Sequence, residues 1–227
     1  MRADEQHRSI DVGDGIGTVP AVLLRPAGAA ATVVVAHGAG AGKDHPFLTG
    51  FCRALADVGV ATLRFDFPYR EAGRRFPDRP PVAIAAWRAV MDAAAGAGDG
   101  EPVWAAGKSY GGRMASMAVA EGMPAAGLVF LGYPLHAPGK PEKPRDEHFA
   151  ALAGAPMLFL QGRNDPFAIP NEQLDELVRR VGPPAILDWI EGGNHSFEVK
   201  GARRPPAEVG AGLAPRVARF VAEHASP

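Results

Sequence analysis

Gly107-Lys108-Ser109-Tyr110-Gly111 is a G-x-S-x-G pentapeptide that stands between an apolar run, 103–106, and a segment with helical spacing, 112–121. Between a strand and a helix, this pattern is typical of a nucleophile elbow, a sharp turn that strains its serine and exposes the hydroxyl. Glycines flank the serine because a Cβ at either place would collide with the neighbouring strand or helix. The pentapeptide alone is weak support in a chain with 28 glycines. Its strand-turn-helix setting makes Ser109 the candidate nucleophile.

Short apolar runs alternate with helical segments along the chain. Most of the runs are continuous, as expected of strands that are covered on both faces. The alternation predicts an α/β fold, namely a mostly parallel sheet with helices on both faces. An antiparallel hairpin is expected at one edge of the sheet, with strands at 9–12 and 19–25 around a turn at 13–17. The other strands are predicted at 32–36, 60–65, 103–106, 128–132, 157–160 and 186–190, and the helices at 47–58, 82–95, 111–121, 171–181 and about 206–223.

Length and composition limit the class of protein. The chain has 227 residues, of which 47% are hydrophobic and 22% charged, which predicts a single globular domain over 1–227. A net charge of −1 gives no reason to expect nucleic acid or a membrane as partner. One cysteine, Cys52, excludes an internal disulfide and a cysteine-based zinc site, and we expect it to be buried. No signal-peptide or membrane-spanning run is present, so a cytoplasmic location is expected.

The partners of the serine are expected further along the chain. A serine hydroxyl needs a base within hydrogen-bond reach, and the base needs a carboxylate that orients it. In this architecture they follow in the order Ser, Asp or Glu, His. Asp165 follows the run 157–160 and His195 follows the run 186–190. Because parallel strands end at the same edge of a sheet, we expect Ser109, Asp165 and His195 to form a catalytic triad.

Each partner has an alternative interpretation. Asp165 could merely cap a turn, since Asp-Pro often starts one. Asp188 lies within a predicted strand, and Glu191 is too close in sequence to reach beneath His195, so both are weaker candidates for the acid. His195 could be an ordinary surface histidine. His136 is the other histidine that follows a strand after the elbow, and it is a candidate pocket wall.

Acyl transfer also builds negative charge on a carbonyl oxygen, which backbone N–H groups must stabilise. The N–H of Tyr110 is expected to be one donor, because it lies at the start of a helix, where the dipole favours an anion. The second donor is expected from the glycine-rich loop 37–42, with Ala39 as first choice and Gly40 as second. His37 is expected to brace this loop rather than act as the base.

The glycine-rich loop also raises the question of nucleotide binding. A P-loop needs glycine five residues before its Gly-Lys pair, but the chain has His37 there for Lys43 and Pro102 there for Lys108. A dinucleotide fingerprint that begins at Gly38 would need glycine at position 43. Both patterns fail, so a nucleotide is not expected.

Two longer stretches, 66–81 and 134–148, follow predicted strand ends, where open α/β sheets bind ligands. Each is a candidate pocket wall, although each could be a solvated connection. The arginines of 66–81 could attract an anionic substrate, but Glu71 and Asp78 among them favour a self-paired loop. Lys108 could point to the pocket or run along the top of the sheet to a carboxylate, and we favour the carboxylate.

Taken together, these motifs resemble the α/β-hydrolase superfamily, on the side of the dienelactone-hydrolase-like proteins. More narrowly, the chain is similar to bacterial relatives of the testis-expressed-protein-thirty and NSL-complex-subunit-three group. The resemblance implies the triad Ser109, Asp165 and His195, no cofactor, no metal and no large cap domain. Dienelactone hydrolases carry cysteine where this chain has Ser109, which argues against dienelactone as substrate. The motifs that carry the resemblance are 36–40, 107–115, 131–136, 161–167 and 195–197.

The sequence therefore predicts a serine hydrolase that acts on a small-molecule ester, thioester or amide through an acyl-enzyme. The stretch 134–148 is too short for a large lid, which favours small or exposed substrates. Two alternatives stay open, a non-catalytic scaffold or binding protein with this fold, and an acyltransferase that uses the same triad.

Overall fold

One eight-stranded sheet forms the centre of the computed structural model, which describes residues 3–13 and 15–225. The strands are β1 (Glu5–Asp11), β2 (Thr18–Leu24), β3 (Ala31–Ala36), β4 (Val60–Phe65), β5 (Val103–Lys108), β6 (Leu128–Leu131), β7 (Met157–Gly162) and β8 (Ala185–Ile190). They lie in the order β1-β2-β4-β3-β5-β6-β7-β8. Strands β3 to β8 are parallel, whereas β2 is antiparallel to both β1 and β4. The carboxyl ends of β5, β7 and β8 therefore meet at the same edge.

Helices cover both faces of the sheet, and each face has its own apolar core. The helices are α1 (Pro46–Asp57), α2 (Pro68–Glu71), α3 (Pro80–Gly96), α4 (Tyr110–Ala120), α5 (Glu172–Val181) and α6 (Pro206–His224), with a 3₁₀ helix at Glu147–Leu152. Helices α1 and α6 pack on one face, where the rings of Trp104 and Phe220 lie 5.7 Å apart. Helices α3, α4 and α5 pack on the other, where Phe65 and Trp87 lie 5.2 Å apart. Burying each such side chain stabilises the fold by about 1.5–3 kcal/mol.

Helices α1 and α6 approach each other unusually closely. A Cβ on Gly50 would lie 2.1 Å from the carbonyl oxygen of Ala207, and one on Gly210 would lie 2.0 Å from that of Phe47. Only glycine permits this contact, because any side chain would overlap the backbone of the other helix. The contact fixes Phe47 and Val209, which both reach the carboxyl edge of the sheet.

The α/β fold and the N-terminal antiparallel strands predicted from the sequence are confirmed. The predicted turn at 13–17 includes Asp14, which lies outside the described residues. Cys52 is buried as expected, and burial raises the pKa of its thiol to about 11. Helix α2 lies inside the stretch 66–81, and the 3₁₀ helix begins at the end of the stretch 134–148; neither was predicted. No helix in the described part of the chain is long and apolar enough to cross a bilayer, and the cytoplasmic location stays a prediction.

Candidate active site

The turn between β5 and α4 has the strained geometry of a nucleophile elbow. Ser109 adopts φ 50° and ψ −115°, a conformation that non-glycine residues rarely adopt. A Cβ on Gly107 would lie 2.1 Å from the nitrogen of Gly112, and one on Gly111 would lie 2.7 Å from the oxygen of His37. The steric reason predicted for the two flanking glycines is therefore confirmed.

The structure brings Ser109, His195 and Asp165 into one chain of hydrogen bonds. The Nε2 atom of His195 lies 2.8 Å from the Oγ atom of Ser109. The Nδ1 atom of the same ring lies 2.7 Å from Oδ2 of Asp165. With Nδ1–H donating to the carboxylate, the lone pair of Nε2 faces the serine and accepts its hydroxyl proton. This tautomer is the one in which a histidine can act as a base toward a serine.

The Asp165 carboxylate is fully buried and is held from several sides. Its Oδ2 accepts a hydrogen bond from Nε2 of Gln161 at 2.7 Å, in addition to the bond from His195. Its Oδ1 accepts one from the backbone N–H of Phe167 at 2.9 Å. Asp165 therefore caps the turn after β7 and also orients His195, so the two interpretations of this residue are compatible. The contact with Gln161 was not predicted.

The alternative acids and the alternative base are engaged elsewhere. Asp188 pairs with Arg216 at 2.8 Å, and Glu191 pairs with Arg163 at 3.0 Å. The His136 side chain is fully buried, with Nδ1 2.9 Å from the carbonyl oxygen of the next residue. It is therefore inaccessible to a ligand, and its prediction as a pocket wall is wrong.

A short ordered loop presents His195 to the serine. Within it, Oδ1 of Asn194 accepts hydrogen bonds from the N–H groups of Ser196 and Glu198, at 2.8 and 3.0 Å. Phe197 has a positive φ of 62° and stacks on Phe47 of α1, with ring centroids 5.9 Å apart. The loop is thus fastened to the helix that covers this face of the sheet.

Lys108, the residue before the candidate nucleophile, also contacts this loop. Its Nζ atom donates a hydrogen bond to the backbone oxygen of His195 at 2.6 Å and lies 5.6 Å from the ring centroid of Phe197. Burial lowers the pKa of Lys108 to about 8, and the charge of Asp165 opposes that shift. The partner that we favoured for Lys108, a carboxylate, is wrong, since the ammonium group binds a carbonyl.

Ala39 and Tyr110, the two predicted donors of the oxyanion hole, both lie at the cavity above the serine. Ala39 lies in a turn closed by the N–H of Ala41 and the oxygen of Gly38, 3.2 Å apart. Gly40 supplies the positive φ, 80°, that a type II turn needs at its third residue. Within residues 3–13 and 15–225, neither the N–H of Ala39 nor that of Tyr110 donates to a backbone carbonyl.

Gly40 differs from Ala39 in its position relative to the cavity. Gly38, Ala39 and Ala41 line the cavity, whereas Gly40 does not. Of the two predicted donors in this loop, Ala39 is therefore the better placed to face a ligand.

His37 braces the same loop, as predicted. Its side chain is fully buried, with Nδ1 donating to the oxygen of Gly38 at 2.8 Å and Nε2 accepting from the N–H of Phe67 at 3.2 Å. Burial lowers the pKa of His37, which keeps the ring neutral. Because both ring nitrogens are occupied, this histidine is unavailable as a base.

The stretch 66–81 does not line the cavity, but it contacts residues that do. The hydroxyl of Tyr110 donates to the backbone oxygen of Asp78 at 2.8 Å, and the Asp78 carboxylate pairs with Arg74. Asp66 accepts a hydrogen bond from the N–H of Lys43, in the loop that carries Ala39, at 2.7 Å. The self-pairing expected within this stretch is confirmed for Arg74.

A cavity of about 560 Å³ lies over Ser109, and its walls differ in character. Helices α1 and α6 supply an apolar wall. Helix α4 and the stretch 134–148 supply a cationic wall, so the prediction that 134–148 lines the pocket is confirmed. The apolar wall consists of Phe47, Leu48, Pro206 and Val209, the cationic wall contains Arg113, Pro134 and Arg145, and His45, Lys108 and Glu198 also line the cavity.

Our interpretation of the sequence did not include Arg113, Arg145 or His45 in the site. Arg113 could have been predicted from the sequence as a site residue, because a residue four positions after the nucleophile lies on the same face of the helix as the nucleophile. For Arg145 no such signal exists, since it is one of several charges in a proline-rich stretch. His45 caps the first turn of α1 by accepting a hydrogen bond from the N–H of Phe47.

The model of the family described as "Alpha/beta hydrolase domain" matches residues 29–221. Among solved structures, a dienelactone hydrolase from Anabaena variabilis is 21% identical, with all of both chains covered and a TM-score of 0.77. An α/β serine hydrolase homologue from Coxiella burnetii is also 21% identical, covering 96% of this chain and 98% of the other, with a TM-score of 0.71. An α/β serine hydrolase without a lid from Xanthomonas campestris is 18% identical, covering 100% and 99%, with a TM-score of 0.72. At these identities the likeness shows the fold.

Proposed function

The chain belongs to the α/β-hydrolase family, and we propose that it is a serine hydrolase that cleaves a small ester, thioester or amide through an acyl-enzyme. One observation carries the proposal, the continuous hydrogen-bonded chain from Ser109 through His195 to Asp165 at the floor of a cavity. A strained serine, a histidine within hydrogen-bond reach of it and a buried carboxylate in this order are the parts that acyl transfer needs.

In the acylation half-reaction, Oγ of Ser109 attacks the substrate carbonyl carbon while Nε2 of His195 takes the hydroxyl proton. The resulting imidazolium is stabilised by the ionised Asp165 carboxylate. The negative charge that develops on the carbonyl oxygen is met by the N–H groups of Ala39 and Tyr110. His195 then gives its proton to the leaving group as the bond between that group and the carbonyl carbon breaks, leaving the acyl group on Ser109.

In the second half-reaction, water attacks the acyl-enzyme carbonyl while Nε2 of His195 takes a proton from it. The same two amides stabilise the second oxyanion. Collapse of this intermediate breaks the bond to Oγ of Ser109, which recovers its proton from His195. The product acid leaves, and the hydrogen-bonded chain is restored without a cofactor.

The size of the cavity supports a short acyl group. A volume of about 560 Å³ is within the range of small-molecule sites. The residues 36–40, 107–115 and 161–167 further support our narrower placement, beside the bacterial relatives of the testis-expressed-protein-thirty and NSL-complex-subunit-three group.

The proposal is tested with a fluorophosphonate probe, which reacts covalently with an activated serine. We expect labelling at Ser109, located by mass spectrometry, complete loss of labelling in Ser109→Ala and strong loss in His195→Ala. The control is Ser9→Ala, which removes an exposed hydroxyl from β1 and should be labelled like the wild type. If the wild type is folded by circular dichroism yet stays unlabelled, a non-catalytic scaffold is the correct interpretation.

A further inference from the structure

The cationic wall of the cavity contains an arginine held one helical turn from the nucleophile. The N–H of Arg113 donates to the backbone oxygen of Ser109 at 3.1 Å, which fixes its position on α4. The side chain lines the cavity, and its Nε atom is buried without a hydrogen-bond partner among the described residues. The two terminal nitrogens of Arg113 are neither fully buried nor hydrogen-bonded to any described residue, so they are the donors that an acceptor of a ligand can reach.

A second arginine reaches the same wall from the stretch 134–148. The backbone of Arg145 is held on both sides, because its N–H donates to the oxygen of Leu135 at 2.6 Å and its oxygen accepts from the hydroxyl of Tyr133 at 2.6 Å. Burial, followed by the charge of Arg113, lowers the pKa of Arg145. Arg113 and Arg145 both line the same cavity.

No carboxylate in residues 3–13 and 15–225 pairs with either arginine within 4.0 Å. Asp146, which follows Arg145 in the chain, pairs with Arg180 instead. Glu198 also lines the cavity, but it belongs to the loop that carries His195, where it accepts a hydrogen bond from Asn194 at 3.3 Å.

The other titratable groups near Arg113 do not compensate its charge. His148 is hydrogen-bonded to Ser116 at 2.7 Å, and burial, with help from the charge of Arg113, lowers the pKa of His148 to about 4, so the ring is neutral. Burial likewise raises the pKa of Tyr133, which keeps that hydroxyl neutral. Lys108 also lines the cavity, but its ammonium group binds the loop that carries His195. The cationic wall therefore carries two arginines whose charges no described side chain neutralises.

We propose that Arg113 and Arg145 form a subsite for an anionic group of the substrate, a carboxylate or a phosphate, beside Ser109. The inference rests on the proposed hydrolase function and narrows its substrate class to small acyl compounds that carry a negative charge. A planar guanidinium matches either anion with paired hydrogen bonds. The opposite, apolar wall receives the uncharged part of the molecule.

The test compares two pairs of esters that differ only in charge. In the first pair the charge is on the acyl side, namely mono-para-nitrophenyl succinate and its methyl ester. In the second it is on the leaving group, namely para-acetoxybenzoate and its methyl ester. We expect kcat/KM of the wild type to be at least about 10-fold higher for the charged member of one pair. Succinate and inorganic phosphate, compared as inhibitors of a neutral ester, distinguish the two kinds of anion.

Substitutions at the two arginines locate the effect. We expect Arg113→Gln and Arg145→Gln each to reduce the preference for the charged ester about 10-fold, mainly through KM, and Arg113→Lys to retain part of it. The matched control is Arg88→Gln, which removes the same charge from a half-exposed arginine of α3 that contacts Glu121. It should preserve the preference.

The two proposals fail in different ways. Suppose that Ser109 is labelled and neutral esters are cleaved. If charged esters then have no advantage, or if the arginine variants leave that advantage intact, the anion subsite is wrong and the hydrolase proposal stands. If no ester is cleaved, the subsite is judged by calorimetric binding of mono-para-nitrophenyl succinate to Ser109→Ala. Binding to Ser109→Ala that is lost in the double variant, Ser109→Ala with Arg113→Gln, supports the subsite. If Ser109→Ala itself does not bind the ester, the subsite is wrong.

Discussion

The Nζ atom of Lys108 donates a hydrogen bond to the backbone oxygen of His195, 2.6 Å away. The residue before the proposed nucleophile therefore holds the loop that carries the proposed base. These two residues lie 87 positions apart in the chain, so the contact ties the elbow directly to the last strand-end loop.

We expect Lys108→Met to lower kcat/KM for para-nitrophenyl acetate by about 10-fold, mainly through kcat. Leaving the backbone oxygen of His195 without its donor costs about 1–3 kcal/mol. We expect the loop to shift so that this oxygen finds another donor, and the shift moves the imidazole away from the serine. Lys108→Arg, which keeps a donor and a charge, should recover part of the rate. An unchanged kcat in Lys108→Met would show that the loop holds its position without the lysine.

The same lysine predicts a specific dependence of stability on pH. Its pKa is about 8 in the folded protein and about 10.5 when unfolded, so between these values the unfolded chain binds more protons. The free energy of unfolding of the wild type should therefore rise, relative to that of Lys108→Met, as the pH increases from 8 to 10.5. The gain is at most about 3 kcal/mol. Urea unfolding of both proteins at several pH values measures the difference, and a constant difference would contradict the prediction.

Asp165→Asn should lower kcat by about 1,000-fold or more. An amide N–H that faces Nδ1 of His195 forces the proton onto Nε2, and the ring can then no longer accept the proton of Ser109. The matched control is Asp188→Asn, which affects an acid paired with Arg216, and its kcat should stay within about 2-fold of the wild type. Single-turnover kinetics on both variants separates the chemical step from substrate binding. Equal losses in the two variants would assign the effect to charge rather than to Asp165.

Gly107→Ala should destabilise the protein by several kcal/mol, because its Cβ would lie 2.1 Å from the backbone nitrogen of Gly112. The matched control is Gly96→Ala at the end of α3, where a Cβ would meet nothing within 4 Å. This change should be neutral or stabilise by up to about 1 kcal/mol. Differential scanning calorimetry compares the melting temperatures, and similar values for both variants would refute the close contact at the elbow.

Much of the fold could be predicted because the parallel strands are short, continuous apolar runs. The run at 60–65, for example, is fully buried as β4. The 3₁₀ helix Glu147–Leu152 could not be predicted in the same way. It has only two buried side chains, Phe149 and Leu152, and it depends on distant partners such as Phe130.

The candidate site likewise has a part that could be predicted and a part that could not. The positions of Ser109, Asp165 and His195 could be predicted, because each residue follows a strand that is recognisable in the sequence. The support that Gln161 gives to Asp165, four residues later, and the anchoring of Arg145 by Tyr133 each depend on a single side-chain hydrogen bond. Such a bond leaves no periodic pattern in the sequence, because it joins one polar side-chain atom to one partner.

The opposed walls of the cavity have a conformational consequence. A substrate whose α-carbon carries both a charged and an apolar substituent can place each against its matching wall, with its carbonyl facing Ser109, in only one rotation about the bond between the α-carbon and the carbonyl carbon. A half-turn about this bond brings the charge to Phe47 and Val209. We therefore expect the cavity to bind such an ester in a single rotamer about this bond.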